Sequence, residues 1–153
     1  MQYSAIVDCD LSLAEMIAAG KYDFTNEDIT ARRFPITGKG KVNINFILKH
    51  FGEDLSTRYA LEELDNADLR PATIEELLAF GAKYPDEQRK YPIVALGSVA
   101  RDLYCFSSFD DQVAVIDKNN DSRGNHDFVR ILNLRKVGYR DWHRCYRFLA
   151  VCK

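Results

Sequence analysis

The helical patterns of this chain all lie before Pro85 and most of its strand patterns lie after it, and this division restricts the fold more than any other feature. Before Pro85, Ser12 and Glu15 form a capping box, in which a hydroxyl and a carboxylate satisfy the free amides of a helix start. A second capping box pairs Thr73 with Glu76. After Pro85, short apolar runs alternate with loops of Ser, Asp, Asn and Gly, which is typical of strands. Helices followed by strands predict an α+β domain.

The same patterns place individual elements along the chain. Val42, Ile44, Phe46 and Leu48 recur at every second position, which predicts a strand with one buried face. We expect helices over residues 12–20, 56–65 and 73–81. Further strands are predicted over 2–7, 93–96, 103–106, 113–116, 128–134 and 146–151.

Length, charge and cysteine content exclude several classes of protein. With 153 residues, 46% of them hydrophobic and 29% charged, the chain suits one soluble domain spanning residues 1–153. A net charge of −2 lacks the basic footprint of a nucleic-acid binder. No segment is long and apolar enough for a membrane span, and residues 1–20 carry no basic leader, so neither a membrane partner nor a signal peptide is expected. We expect a cytoplasmic or virion-associated protein with reduced cysteines.

Two stretches carry a resemblance to a known fold. Residues 59–64 and 69–77 resemble the helix–turn–helix core of C-type lectin folds of the formylglycine-generating-enzyme type. Residues 142–151 resemble the strand that closes that fold. The resemblance implies a C-type-lectin-like domain with two helices and a small, mostly antiparallel sheet, in which the N-terminal and C-terminal strands pair. Residues 22–51 lie outside that minimal core and are a candidate for an inserted hairpin that mediates assembly.

Within this fold, the C-terminal part resembles the variable proteins of diversity-generating retroelements. Their C-terminal surface is rewritten at adenines, largely in Asn codons, and the residue types that result crowd residues 117–146 here. The resemblance implies a receptor-recognition type of binding protein, not an enzyme, with a variable region over about residues 100–147. The candidate ligand-binding residues are Tyr104, Ser107, Asp110, Asn133, Arg135, Lys136, Tyr139, Arg140, Asp141, His143 and Arg144. Trp142 is expected to be buried beneath them.

The sequence lacks the residues that an EF-hand, a catalytic cysteine pair or a histidine metal site would need. The Asp-rich stretch from Asp117 lacks the Gly and Glu of an EF-hand, because Ser122 and Phe128 occupy those positions. The formylglycine-generating enzymes work through a cysteine pair in their last segment, and no second cysteine lies between Cys105 and Cys145 here. His50, His126 and His143 are scattered, without metal-ligand spacing. We therefore expect no catalytic residue, no metal and no cofactor.

Two alternatives stay open. One is a degenerate relative of the formylglycine-generating enzymes that keeps some catalysis. The other is a nucleic-acid-associated phage or mobile-element protein, since basic residues alternate with Tyr and Trp between residues 135 and 147. We rank nucleic acid below an unknown protein ligand, and a glycan also ranks below protein. The sequence leaves open the ligand's identity, the residues that vary, the oligomeric state, the binding of calcium at a looser site and the redox state of the cysteines.

Overall fold

A computed structural model describes residues 2–100, 111–119, 129–138 and 140–153. In these ranges the chain forms four helices, which are α1 (Leu13–Gly20), α2 (Thr57–Asn66), α3 (Ile74–Lys83) and α4 (Glu87–Lys90). It also forms eight strands, which are β1 (Gln2–Asp8), β2 (Phe24–Thr25), β3 (Lys41–Lys49), β4 (Leu69–Pro71), β5 (Ile93–Ala100), β6 (Gln112–Asn119), β7 (Val129–Lys136) and β8 (Arg147–Cys152). The predicted α+β class is confirmed, with two helices more than the resemblance implied. The strand predicted over 103–106 lies outside the described residues.

The strands form one open sheet in the order β1-β3-β8-β5-β6-β7-β2, and β4 pairs with β8 beside this path. The pairs are antiparallel except β5 with β8 and β2 with β7. The expected pairing of the N-terminal and C-terminal strands is wrong, because β3 lies between them. Val7 pairs with Val42, and Phe46 pairs with Val151. Phe46 is fully buried on the same core as Val7 and Val151, so β3 fills the position between those strands.

Residues 22–51 do not form the candidate hairpin, and a role of this stretch in assembly stays a prediction. Its two strands lie in different parts of the sheet, since β2 pairs with β7 and β3 pairs with β1 and β8. The amides of Asp23 and Asn26 donate to the carbonyls of Arg130 and Leu132, both at 2.9 Å. Backbone hydrogen bonds of β7 therefore draw the first half of this stretch to the far edge of the sheet.

The predicted helix starts are confirmed, and one of them organises the helix–turn–helix stretch. The side chains of Ser12 and Thr73 accept from the backbone at the third helical position, and both capping boxes are complete. Glu76 also receives two hydrogen bonds from the guanidinium of Arg70, at 2.7 and 3.0 Å. This paired arrangement fixes β4 against the start of α3.

The sheet separates two main cores. The first lies between the sheet and the helices α1 and α3, and it includes Phe46, Phe80 and Leu132. The second lies on the opposite face and includes Leu55, Val94, Val113, Trp142 and Phe148. Side chains alternate along a strand. In β7, Leu132 and Leu134 therefore face the first core, and Asn133 and Arg135 face the opposite side. Among the described residues, the longest helices have ten residues, and none is long and apolar enough to cross a membrane.

Candidate ligand-binding site

A cleft of about 380 Å³ opens beside the second core. We call it the recognition cleft, and its lining residues are Arg135, Lys136, Arg140, Asp141, Trp142, His143 and Tyr146. Five of these seven are candidate ligand-binding residues from the sequence, and they come from the end of β7 and from the loop that leads to β8. The fold therefore gathers most of the described candidates around one concave surface.

The end of β7 is held by backbone contacts that place Arg135 and Lys136 on the rim. Directly after the strand, the amide of Val137 donates to the carbonyl of Asp111 at 3.0 Å. The carbonyl of Val137 accepts from the Thr57 hydroxyl at 2.8 Å. Because both backbone groups of Val137 are occupied, the chain leaves the sheet in a fixed direction.

Trp142 anchors the other side of the recognition cleft, and its predicted burial is confirmed at 5% exposure. Its backbone forms a two-bond bridge with Leu55, at 2.7 and 3.1 Å. Its indole N–H donates to the Thr57 hydroxyl at 2.8 Å. The ring packs edge-on against Tyr146 at 5.0 Å and Phe148 at 6.1 Å between centroids. The exposed loop residues beside it are thus carried on a rigid support.

Backbone contacts of Arg144 fix the turn after Trp142. The amide of Arg144 donates to the Asp54 carboxylate at 2.8 Å, and its carbonyl lies 2.9 Å from His50 Nε2. The amide of Tyr146 donates to the carbonyl of His143 at 3.0 Å and closes the turn. The structure brings His143 into the recognition cleft but leaves Arg144 outside its lining.

Asn133 is also left outside, because its side chain serves the sheet. Its amide oxygen accepts from Asn26 Nδ2 at 2.9 Å and from the amide of Leu134 at 2.8 Å. It therefore fastens β2 to β7. The remaining four candidates lie outside the described residues, namely Tyr104, Ser107, Asp110 and Tyr139.

The lining of the recognition cleft is electropositive, because it contains the cationic side chains of Arg135, Lys136 and Arg140 and one carboxylate, that of Asp141. Arg135 lies on the second-core face together with Asp117 of β6. Burial raises the pKa of Asp117, while the amide of Lys118 and the positive charge of Arg135 act in the opposite direction. Three cations beside the carboxylates of Asp141 and Asp117 still leave a net positive charge, which favours an anionic ligand.

Two residues of this site were missed by the reasoning from sequence. Thr57 bridges the Trp142 indole and the Val137 carbonyl, yet it is 85 residues away from Trp142. Nothing local to Thr57 signals that role. Tyr146 is not among the candidate residues, although its position directly before β8 and four residues after Trp142 could have suggested a contact between the two rings.

Cys145 lies in the same turn, and its environment does not activate it. Although the residue is exposed, desolvation of the sulfur and the negative charge of Asp117 raise the pKa of its thiol. A nucleophilic cysteine needs a lowered pKa, because the thiolate is the reactive form. Within the described ranges, His, Cys, Asp and Glu side chains form no group of three or more that could hold a metal ion.

The contacts described above define the recognition cleft and its place at the end of β7. Comparison with known proteins gives no match to a family model, to a curated protein or to a solved structure.

Proposed function

We propose that this protein is a ligand-binding module of C-type-lectin-like fold, and that its recognition cleft binds an acidic segment of a protein partner. One observation carries the proposal: five residues selected by their type and position in the sequence line a single electropositive cleft over a buried tryptophan. Arginine beside aromatic residues is a common composition of protein-binding surfaces. The bound segment would place a carboxylate between Arg135, Lys136 and Arg140.

Local features support the lectin-like fold. The stretch that resembles the helix–turn–helix core forms α2, β4 and α3, and the stretch that resembles the closing strand forms β8 near the middle of the sheet. The position of β3 between β1 and β8 departs from the arrangement that we expected for this fold. The proposal therefore rests on the helical core and on the closing strand.

The C-terminal loop is suited to diversification by a retroelement, which is the role that we propose for it. Arg140, Asp141 and His143 are exposed, while the backbone beside them is held by Trp142 and Leu55. Substitution at exposed positions on a fixed backbone changes the ligand surface without disturbing the core. Sequencing around the gene tests this role: we expect a reverse-transcriptase gene and a repeat of the 3′ end that differs at adenines. Finding neither would remove the retroelement from the proposal.

Binding of an acidic segment is tested by selecting peptides from a random display library on the purified protein. We expect enrichment of Asp and Glu, and a synthetic peptide from the selection should bind more weakly as salt increases. Lys136→Glu and Arg140→Glu should each raise the dissociation constant of that peptide at least about tenfold, which corresponds to about 1.4 kcal/mol of binding free energy. Arg58→Glu is the control, because this exposed arginine lies on α2 outside the recognition cleft.

Retained affinity in both charge-reversal variants would overturn the assignment of the recognition cleft. A single-stranded oligonucleotide tested in parallel addresses the nucleic-acid alternative, and tight binding of it at low salt would replace the protein ligand. We rank nucleic acid lower because single strands bind by stacking bases on exposed aromatic rings, whereas Trp142 is buried at 5% exposure and Tyr146 is half-buried. The raised pKa of Cys145 likewise favours binding over thiol catalysis.

A further inference from the structure

A second cleft lies at the opposite end of the sheet, between β1, α1 and α3. Its volume of about 420 Å³ is within the range of small-molecule sites. Most of its wall is apolar, and that part includes Leu11, Met16, Ala19, Leu78, Ala79 and Ala82. Three of these are alanines, so the two helices leave open space where longer side chains would fill it. We call this space the apolar cleft.

Glu75, with 3% exposure, is buried between the apolar cleft and a neighbouring cleft that Thr37 and Gly38 line. Its Oε1 atom accepts from the amide and the hydroxyl of Thr37, at 3.1 and 3.0 Å, and from the amide of Gly38 at 3.4 Å. Its Oε2 atom is buried without a hydrogen-bond partner among the described residues. A buried carboxylate oxygen is costly to leave unpaired, so this atom marks where a donor would be stabilised.

The edge of β1 borders the apolar cleft but does not suit a bound strand. The Tyr84 hydroxyl donates to the carbonyl of Ser4 and accepts from its amide, and Lys83 donates to the same carbonyl. Further along, the carbonyl of Asp8 accepts from the amide of Leu11 at 3.4 Å. Between Ser4 and Asp8, the amide and carbonyl of Ile6 alone point away from β3 toward the open edge, and Ile6 also lines the apolar cleft. One position is too short for strand addition, which favours a small molecule.

Among the described residues of this wall, the carboxylate oxygen without a hydrogen-bond partner is Glu75 Oε2, and it favours a cationic donor. The Asp8 carboxylate lies 3.9 Å from the Lys41 ammonium, and the Lys83 ammonium donates to Ser4 and lies 5.5 Å from the centre of the Tyr84 ring. We propose that the apolar cleft binds a small molecule with an apolar body and a primary ammonium group, which donates to Glu75 Oε2. Because the Oε2 atom is buried, binding requires a side chain of the wall to move, and Met16, which lines the same cleft, is unbranched and adaptable.

The probes for the experiment are 2-phenylethylamine, which is cationic, and 2-phenylethanol, its neutral counterpart. The chain has two methionines, so a protein labelled at the methionine methyl groups gives a simple spectrum in which Met16 reports on the apolar cleft. We expect the amine to shift the Met16 signal saturably in a titration to about 10 mM, with an affinity at least about tenfold higher than that of the alcohol.

Two variants separate the body of the ligand from its charged group. Ala82→Leu should fill the space and abolish binding of both probes, and Ala14→Leu is its control, since Ala14 is exposed on α1 outside the apolar cleft. Glu75→Gln keeps an acceptor for Thr37 and should lower the affinity for the amine to that for the alcohol. The proposal is overturned if the amine gives no saturable shift, if both probes bind wild type equally, or if Ala82→Leu binds as wild type does.

Discussion

Arg130 is a buried arginine, with 5% exposure, and its contacts explain how the fold tolerates its charge. Its guanidinium donates to the carbonyl of Gly20, the last residue of α1, and to the carbonyl of Gly81 in the last turn of α3. It donates to the side chain of Gln88 as well. It also lies 4.9 Å from the centre of the Tyr22 ring. Burial lowers the pKa of Arg130, but carbonyl groups at helix ends carry partial negative charge and stabilise the cation.

We predict that Arg130→Met lowers the free energy of unfolding by about 3 kcal/mol, because it leaves the buried carbonyls of Gly20 and Gly81 without their donor. Urea denaturation measures this change. Arg58→Met is the matched control, and an exposed arginine paired only within its own helix should change stability by less than about 0.5 kcal/mol. Equal stability of the two variants would show that the carbonyls find water or other donors.

The strand β5 approaches the turn between β4 and α3 more closely than a side chain would allow. Its register with β6 shifts between Ala95 and Val99, and within this irregularity the amide of Gly97 donates to the carbonyl of Ala72 at 2.8 Å. A Cβ atom on Gly97 would lie 2.5 Å from that carbonyl oxygen. Next to it, the Ser98 hydroxyl accepts from the amide of Ile74 at 2.8 Å. The irregularity of β5 thus also completes the start of α3.

We predict that Gly97→Ala lowers the free energy of unfolding by about 1–3 kcal/mol, since the added methyl group meets backbone atoms that move only together with α3. Thermal unfolding followed by circular dichroism measures it. Val99→Ala serves as the control in the same strand, because Val99 is exposed. If Gly97→Ala were as stable as the control, the close contact with Ala72 would not restrict this position.

The two main cores share one sheet, and this couples the recognition cleft to the rest of the molecule. Val94 of β5 faces the second core, while its neighbours Ile93 and Ala95 face the first. Trp142, the only tryptophan in the chain, reports on the second core, and α1 and α3 cover the first. Because both cores pack against the same strands, loss of one core removes support from the strands on which the other core depends. Neither core is therefore expected to persist alone.

We predict a single unfolding transition in urea, with the same midpoint for Trp142 fluorescence and for far-ultraviolet circular dichroism, because both report on one cooperative unit. The coincidence of the two curves is the measurement. An earlier fluorescence transition would contradict this prediction, since it would show that the loop carrying the recognition cleft opens before the sheet unfolds.

Some features of the molecule were predictable because the signal lies within a few residues. The capping boxes at Ser12 and Thr73 start helices by contacts three positions away, and alternation along β7 sends Leu132 to the core. The candidate binding surface was partly predictable for a similar reason. Polar and aromatic residues follow the strand end in the sequence, and Arg140, Asp141 and His143 do line one cleft.

Other features depend on residues far apart in the chain. Asn133 has the polar character of a surface residue, but Asn26, 107 positions away, binds its side chain. Glu75 follows a helix start, as acidic residues commonly do, yet the loop at Thr37 covers it. The position of β3 between β1 and β8 was equally hidden, because several strands of similar alternation could have paired with β8. Local patterns decide where helices and strands form and which faces are apolar; strand order and the two clefts arise only when distant segments compete for the same hydrogen bonds and the same buried space.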